Sequence, residues 1–441
     1  MKNFLVYISI STQFKSILSI VEFIINEKIA MPIFLLDNQV HELLKEAEYC
    51  KNREIEFFEI NKNNTERETN KNKVQDINSL TVMTELKNIL LFPYRTIKQI
   101  GIYQKKISWY VDFLEKNKIK TLLLTEQGLG YDVPFIMRAS KKCKINLVVF
   151  PFAITTDVIL KTNSNNPSLK FKRLSNKVLS HFLPRRAVGL YKNEKVLINL
   201  PPQIFALFFF KMLPKNPWSS YSGNADFINA ESNYMKDFLL QEKIDKKQII
   251  ELGSFVFDNP KIENNYILCA FPPLSFNEDA DLPEFSTNKS ATTYWFNVLS
   301  RYSFDNKIVL HLHPRLNNND FVDLAKKYNL EICNDAIENL IPMCKIFITS
   351  VSSIIRLAVA YGKPVLDYDI FGYNYPNYKN NEGVVTVFTK VDFENMLDKM
   401  VNDKKYYEEI KRKQLKDAKY FGNTDNKNKE RFLNFFVEIL E

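Results

Sequence analysis

The stretch IFITSVSSIIRLAVAYGKPVLDYD runs from Ile346 to Asp369 and carries two changes of hydrophobic period. Ile346–Ile348 is a short, fully apolar run, as expected of a strand buried on both faces. Ser350, Ser352 and Ser353 interrupt it, and Ile354 to Tyr361 reads as a helix that is apolar on nearly every side except Arg356. Gly362 suits the left-handed cap of that helix, and Pro364 bars its continuation. The run ending at Asp367-Tyr368-Asp369 then reads as the next strand. Strand, buried helix and strand in about 24 residues predict a parallel α/β sheet covered on both sides.

The same alternation extends in both directions. Upstream lie YILCAFPPLS, a helix near Thr293 to Arg301, KIVLHLHP, DFVDLAKKYN and LEICND; downstream lie VVTVF and charged helices from Val391 to Glu441. The N-terminal half repeats the rhythm with NFLVYISI, a helix from FKSILSIVEFIINE that Ser11 or Thr12 can cap, PIFLLD, HELLKEAEYC and IEFFEI. A polar loop is expected from Asn61 to Asp76, then a helical stretch from about Ser79 to Lys116, the strand IKTLLLT, the helix DVPFIMRASKKCK and the strand INLVVF. At 441 residues the chain is long enough for two domains. The expected division is 1–258 and 259–441, the boundary falling near Asp258 to Asn265.

Composition excludes several classes. Hydrophobic residues make up 45% and charged residues 25%, ordinary for a globular protein, but only 10 glycines are present. Neither GxGxxG nor GxxxxGK[ST] occurs, so glycine-rich phosphate loops are not expected. The five cysteines show no CxxC and no pairing rhythm, which fits a reducing compartment. MKNFLVYISIST reads as a first strand and not as a signal peptide. The longest apolar run, VLINLPPQIFALFFFKML, is split by Pro201 and Pro202, so a cytoplasmic protein is expected.

The formal charge of +9 is concentrated. Between Lys161 and Lys215 stand eleven Lys/Arg against a single acid, Glu194, mixed with bulky apolar residues. Lys170, Lys172, Arg173, Arg185 and Arg186 in this setting suit an anionic membrane surface or an anionic acceptor, with a solvated basic face as the plain alternative. No nucleic-acid motif accompanies them, so no nucleic-acid partner is expected.

In α/β sheets of this kind ligands sit at the carboxyl ends of strands. Three such ends in the second half stand out. Pro272 and Pro273 stiffen the first. At the second, His311 and His313 fall on one side of the strand and Pro314 closes it, leaving His313 at the tip to donate to a phosphate oxygen. Two histidines so spaced could also be structural, or metal ligands, although no third ligand follows at a familiar spacing. At the third, Ser350, Ser352 and Ser353 open a buried helix, which offers hydroxyls and free N–H groups to an anion. Asp367 and Asp369 end the following strand, suited to loop and cap chemistry or to contact with a ribose or sugar.

His313-Pro314, followed about 40 residues later by Ser352-Ser353, resembles the bacterial sialyltransferase and polysialyltransferase group. The resemblance implies a GT-B architecture: two Rossmann-like domains facing a cleft, with C-terminal helices that can pack back on the N-terminal domain. It implies that the histidine and serines hold the phosphate of a CMP-linked sugar. It also implies an acid-acid-Gly motif whose first acid is the general base. Glu126-Gln127-Gly128 is the counterpart, with an amide in the middle position. Asp132, which also suits an N-cap, is the second choice of base. The run GKPVLDYDIFGYNYPNY resembles, in addition, CDP-glycerol-type polyol phosphotransferases.

These resemblances imply an inverting, metal-independent glycosyltransferase with no cofactor beyond its nucleotide-sugar co-substrate. Its donor would be CMP-linked and carry a sialic-acid-like or other ulosonic acid. Its acceptor would be a surface polysaccharide of capsule or lipopolysaccharide type, or a lipid-linked glycan, reached at the inner face of the cell membrane. The alternatives are a CDP-polyol phosphotransferase, a UDP-sugar transferase or epimerase, and a non-catalytic subunit that docks at the membrane.

Overall fold

The computed structural model describes residues 3–39, 42–60, 82–151, 158–258, 266–274, 282–313, 316–374 and 378–440. The loop expected from Asn61 to Asp76, the helix start at Ser79, residues 259–265 near the expected boundary, and Pro314 lie outside them. The chain divides into two compact units. The first comprises Met1–Ala230, Lys236–Leu252 and Phe432–Glu441; the second comprises Glu231–Met235 and Gly253–Arg431.

The strands of the first unit are β1 (Asn3–Ile8), β2 (Met31–Asp37), β3 (Glu56–Ile60), β4 (Ile119–Leu124), β5 (Asn146–Val149), β6 (Val188–Tyr191), β7 (Glu194–Leu197), β8 (Phe227–Asn229) and β9 (Ile249–Ile250). Seven of them form one parallel sheet in the order β3-β2-β1-β4-β5-β8-β9. Central strands carry no polar face: Phe4 to Ile8 and Leu122 to Leu124 are all buried. Helices on both sides cover such strands. The basic segment contributes β6 and β7, a separate antiparallel hairpin. Its turn residues Lys192 and Asn193 both take positive φ (45° and 65°), as a two-residue hairpin turn requires.

The second unit carries β10 (Tyr266–Phe271), β11 (Lys307–Leu312), β12 (Glu331–Ile332), β13 (Cys344–Thr349), β14 (Val365–Tyr368) and β15 (Val384–Val387). They form a parallel sheet in the order β12-β11-β10-β13-β14-β15. Phe271, Trp295, Phe296 and Phe321 fill one side, and Phe347, Leu357, Ala358 and Val359 the other. In both sheets the chain runs outward from the first strand, then returns to build the opposite half. This is the doubly wound order, with a switch point beside β1 in one unit and beside β10 in the other.

Local expectations are corrected at three places. The first helix spans Ser11–Asn26, with Ile10 at its N-cap and no side-chain cap bond, so Ser11 and Thr12 are already helical. The stretch to Lys116 is two helices, Val82–Leu90 and Phe92–Lys116, because Pro93 lacks the N–H that a continuous helix needs. The buried helix after the serines is only Ile355–Ala360; Gly362 does take a left-handed φ of 67°.

Of the C-terminal helices, Lys390–Asn402 and Lys404–Phe421 belong to the second unit, and Asn428–Leu440 is shared. From Phe432 onward the last helix is part of the first unit, as the expected pack-back requires. Phe432 and Phe436 lie 5.8 and 6.0 Å from the Phe150 ring, and Asn146 donates to the Ile439 carbonyl at 3.0 Å. Phe436 is fully buried. Phe436→Ala is therefore expected to cost about 3–5 kcal/mol, read as a lowered urea midpoint for the first unit.

Candidate functional site

The second unit gathers its polar side chains at the carboxyl ends of β10, β11, β13 and β14. Pro272 follows β10 and is buried, its carbonyl accepting from the Leu274 amide at 2.7 Å. His311 is half-buried on β11, opposite Ala270, and burial pushes its pKa down, favouring the neutral ring at pH 7. His313 lies one residue past the strand, half-buried, and its carbonyl accepts from Leu316 at 2.8 Å.

The serine turn after β13 is the most constrained part of this half. Val351 adopts φ +48°, a left-handed conformation that a β-branched residue strongly resists. Asp367, at the end of the neighbouring strand, holds it there: its Oδ1 accepts from the Val351 amide at 2.7 Å, while Oδ2 accepts from the Thr386 hydroxyl at 3.4 Å. Burial raises the Asp367 pKa to about 6. Asp367 thus acts as a strut for the turn. Asp369 likewise caps its own loop, accepting from the amides of Tyr373 and Asn374.

The turn presents a mixed set of donors. The Ser350 hydroxyl is buried with no partner among the described residues. Ser352 is half-buried, its hydroxyl accepting weakly from Ile354 at 3.4 Å, and Ser353 is exposed. The amides of Ser352 and Ser353 meet no acceptor among the described residues. Backbone strain and unmet donors together leave this turn with hydrogen-bonding capacity that an anion could use. The six-residue helix behind it makes the turn, and not a long helix dipole, the source of that capacity. Arg356, the charged residue of that helix, is paired with Glu231.

In the first unit the acid-containing turn follows β4. Glu126 is half-buried, and burial raises its pKa to about 7, offset in part by a 3.2 Å hydrogen bond from Gln13 Nε2. Gln13 is itself fixed, since its Oε1 accepts from both the amide and the hydroxyl of Ser9 at 2.9 Å. The amide at the middle position has a distinct task. Gln127 Nε2 donates to the Tyr221 carbonyl, its Oε1 accepts from the Ala225 amide at 2.9 Å, and its own amide donates to Ser220 at 2.9 Å. An ionised carboxylate at this position lacks the donor for Tyr221. A Cβ at Gly128 would meet the Ser220 Cα at 3.1 Å, so the turn and the 219–225 loop are tightly packed.

Asp132 stands at the N-cap position, but its carboxylate makes no cap bond. It is buried and accepts from Lys106 Nζ at 2.7 Å, Tyr110 at 3.0 Å and Gln39 Nε2 at 3.1 Å. Only its backbone carbonyl starts the helix.

The basic segment is less available than its sequence suggests. Lys170 and Lys172 share Glu194 at 2.9 and 3.3 Å, and Arg173 pairs at 2.9 Å with Glu85, which is buried and also holds Ser175. Arg186 donates to the Leu213 carbonyl at 3.2 Å. Lys172, Arg185 and Arg186 are exposed, as are Phe182 (70%), Phe208 (50%) and Phe209 (58%). Among the described residues no helix is long and apolar enough to cross a membrane, and no three His, Cys, Asp or Glu side chains gather as a metal site.

No family model and no curated protein matches the chain. Solved structures do. The UDP-GlcNAc 2-epimerase of Neisseria meningitidis, bound to UDP-GlcNAc, superposes with a TM-score of 0.51 at 13% identity, over 98% of this chain and 100% of that one. The wall teichoic acid polymerase TagF, in a variant soaked with CDPG, superposes at 0.52 with 11% identity, over 100% of this chain and 88% of that one. At these identities the likeness is one of fold: two Rossmann-like α/β units of the GT-B type.

Glu126, His313 and the serines are named by the sequence, whereas Ser9, Gln13, Val351 and the 219–225 loop, which hold or pack against them, are not. The polar run Ser9 to Gln13 just after an apolar strand was the available signal for the first pair. Because the folded pKa of Glu126 lies above its value in an unfolded chain, the wild type loses stability as pH rises from about 4.5 through 7. Glu126→Gln is therefore expected to match wild type below pH 4.5 and to exceed it by about 2–3 kcal/mol at pH 8, measured by urea unfolding across pH.

Proposed function

We propose that this protein is an inverting glycosyltransferase that moves a sugar from a nucleotide donor to a hydroxyl acceptor. The observation that carries the reading is Glu126: a carboxylate at a strand end, oriented by Gln13, with a pKa of about 7. A general base works best when its pKa lies near the working pH. Glu126 takes the proton of the acceptor hydroxyl as that oxygen attacks the anomeric carbon, and the bond to the nucleotide phosphate breaks. His313, the Ser352 and Ser353 hydroxyls and the turn amides meet the charge left on the phosphate, each well-placed donor being worth about 3 kcal/mol. Ser350 supplies a further hydroxyl, and Asp367 keeps the turn in shape. His311 and Pro272 shape the neighbouring strand ends.

The donor in this reading is CMP-linked, carrying a sialic-acid-like or other ulosonic acid, on the strength of the histidine and serine pairs. Thermal shifts with CMP, CDP, UMP and UDP test it on wild type and His313→Ala. A ligand at about 100 times its dissociation constant adds roughly 2.7 kcal/mol, so a shift of a few degrees is expected with CMP and its loss in the variant. A UDP-selective shift points instead to a UDP-sugar transferase or epimerase. CMP-selective binding with transfer of a polyol phosphate to the acceptor and release of CMP points to the phosphotransferase. In turnover, kcat/KM is expected to rise with pH through about 7, as Glu126 ionises, and to fall by at least a hundredfold in Glu126→Gln. Glycan formation unchanged by that substitution would leave the docking-subunit reading.

The acceptor in this reading is a surface polysaccharide or lipid-linked glycan, met at the inner membrane face. Lys172, Arg185 and Arg186 are exposed, as are Phe182, Phe208 and Phe209, which supports a peripheral contact with anionic lipid. Salt-sensitive sedimentation with phosphatidylglycerol liposomes is expected, and its loss when those three cations become glutamate. Lys170 and Arg173 are left in place because their partners tie them to the fold. Sedimentation unchanged in the triple variant sinks the membrane assignment.

A further inference from the structure

Helix Val133–Lys142 places Pro134, Met137, Arg138 and Lys141 on one face, at spacings of three and four residues. That face lines a small cavity of about 40 Å³, together with Gln127, Gly128, Lys211 and the Gly223–Asn224 turn. This is room for about three water-sized groups. Gln127 and Gly128 follow Glu126 directly, so the cavity adjoins the turn that carries the carboxylate.

Its charge is unbalanced. Lys141 is paired with Asp226, whose second oxygen accepts from the Leu147 amide at 3.0 Å, so that carboxylate is fully engaged. The side chains of Arg138 and Lys211 meet no carboxylate among the described residues, and Lys211 is exposed, its backbone amide alone being bonded, to the Phe208 carbonyl at 3.0 Å. The Arg138 Nε is moreover buried. A buried donor on a cation is costly to leave unmet, and folded proteins leave few of them. Lys211, just past the helix Pro201–Phe209, is exposed and brings a further cation to the same wall. A planar guanidinium fork and a lysine point charge around a space of this size match an oxyanion.

We propose that this cavity holds an oxyanion of the acceptor, a phosphoryl or carboxylate group, and so selects an anionic acceptor chain beside Glu126. The proposal rests on the reading of Glu126 as the base. Gln127 has a part in it as well: by clamping the 219–225 loop it keeps Gly223 and Asn224 in the cavity wall.

The test is binding of inorganic phosphate and of glycerol 3-phosphate to the full chain by calorimetry, at constant ionic strength. It is made in wild type, His313→Ala, and the double variant Arg138→Gln/Lys211→Gln. Both probes are expected to bind wild type and His313→Ala alike, and about tenfold or more weakly to the double variant, the scale of losing charge-assisted hydrogen bonds. Binding that is unchanged in the double variant, or absent throughout, overturns the site. Binding of inorganic phosphate but not of the monoester overturns the acceptor assignment, because a free ion is then the ligand. If Arg138→Gln disturbs folding, Lys211→Gln alone carries the test, since that side chain is exposed. A failed catalytic reading looks different: Glu126→Gln leaves turnover intact while phosphate binding still depends on Arg138 and Lys211.

Discussion

Parallel strands buried on both faces have nowhere to put polar chemistry except their ends. β1, β4, β10 and β13 carry almost unbroken apolar runs, with helices on either side. The polar residues of interest therefore crowd into the few positions just past each strand: Ser9, Glu126, His313, Ser350 and Asp369. Each of these positions must solve the same problem, holding a polar group at the edge of a dry core. Glu126 is held by Gln13, and Val351 by Asp367. Both carboxylates carry raised pKa values because burial works against their charge.

The first unit adds a rigid platform beneath the acid-containing turn. Tyr7 donates to Asp37 at 2.6 Å and accepts from the Asp132 amide, Gln39 bridges Asp37 to Asp132, and Lys106 and Tyr110 complete the set. Burial pushes both tyrosine hydroxyls far above their usual pKa, so they remain donors. A network in which every member is satisfied rigidifies its surroundings. Here it fixes Asp132 six residues beyond Glu126, which makes Asp132 a support for the loop and a poor rival for the role of base.

The fold was legible because it rests on period. Apolar runs of strand length alternating with longer amphipathic segments announce parallel α/β units, and Gly362 with Pro364 marks a helix end. The polar strand ends were legible for the same reason, since His313 and the serines break apolar runs. What remained hidden depends on partners distant in sequence. No pattern around Gln127 tells that it grips Tyr221 and Ala225, about a hundred residues away, and so explains the amide in that motif. The basic segment misled in the opposite direction. Its charge density is plain in sequence, but Glu85, which binds Arg173, lies 88 positions earlier. Arg138 is an ordinary helical arginine until the structure leaves its Nε buried and unmet.

The shared helix Asn428–Leu440 bears on how the protein is made. Phe432 and Phe436 cover Phe150, a residue of the first unit that leaves the ribosome about 280 residues earlier. At ordinary rates of synthesis that interval is roughly 15–60 s. In its later part, once β9 (Ile249–Ile250) has been made, the first unit has its sheet but not its lid, and the aromatic surface around Phe150 and Phe227 stays bare while the rest of the second unit is translated. The order of synthesis and the order of completion are thus inverted: the unit begun first is the one finished last, and its nascent form depends on whatever shields that surface in the meantime.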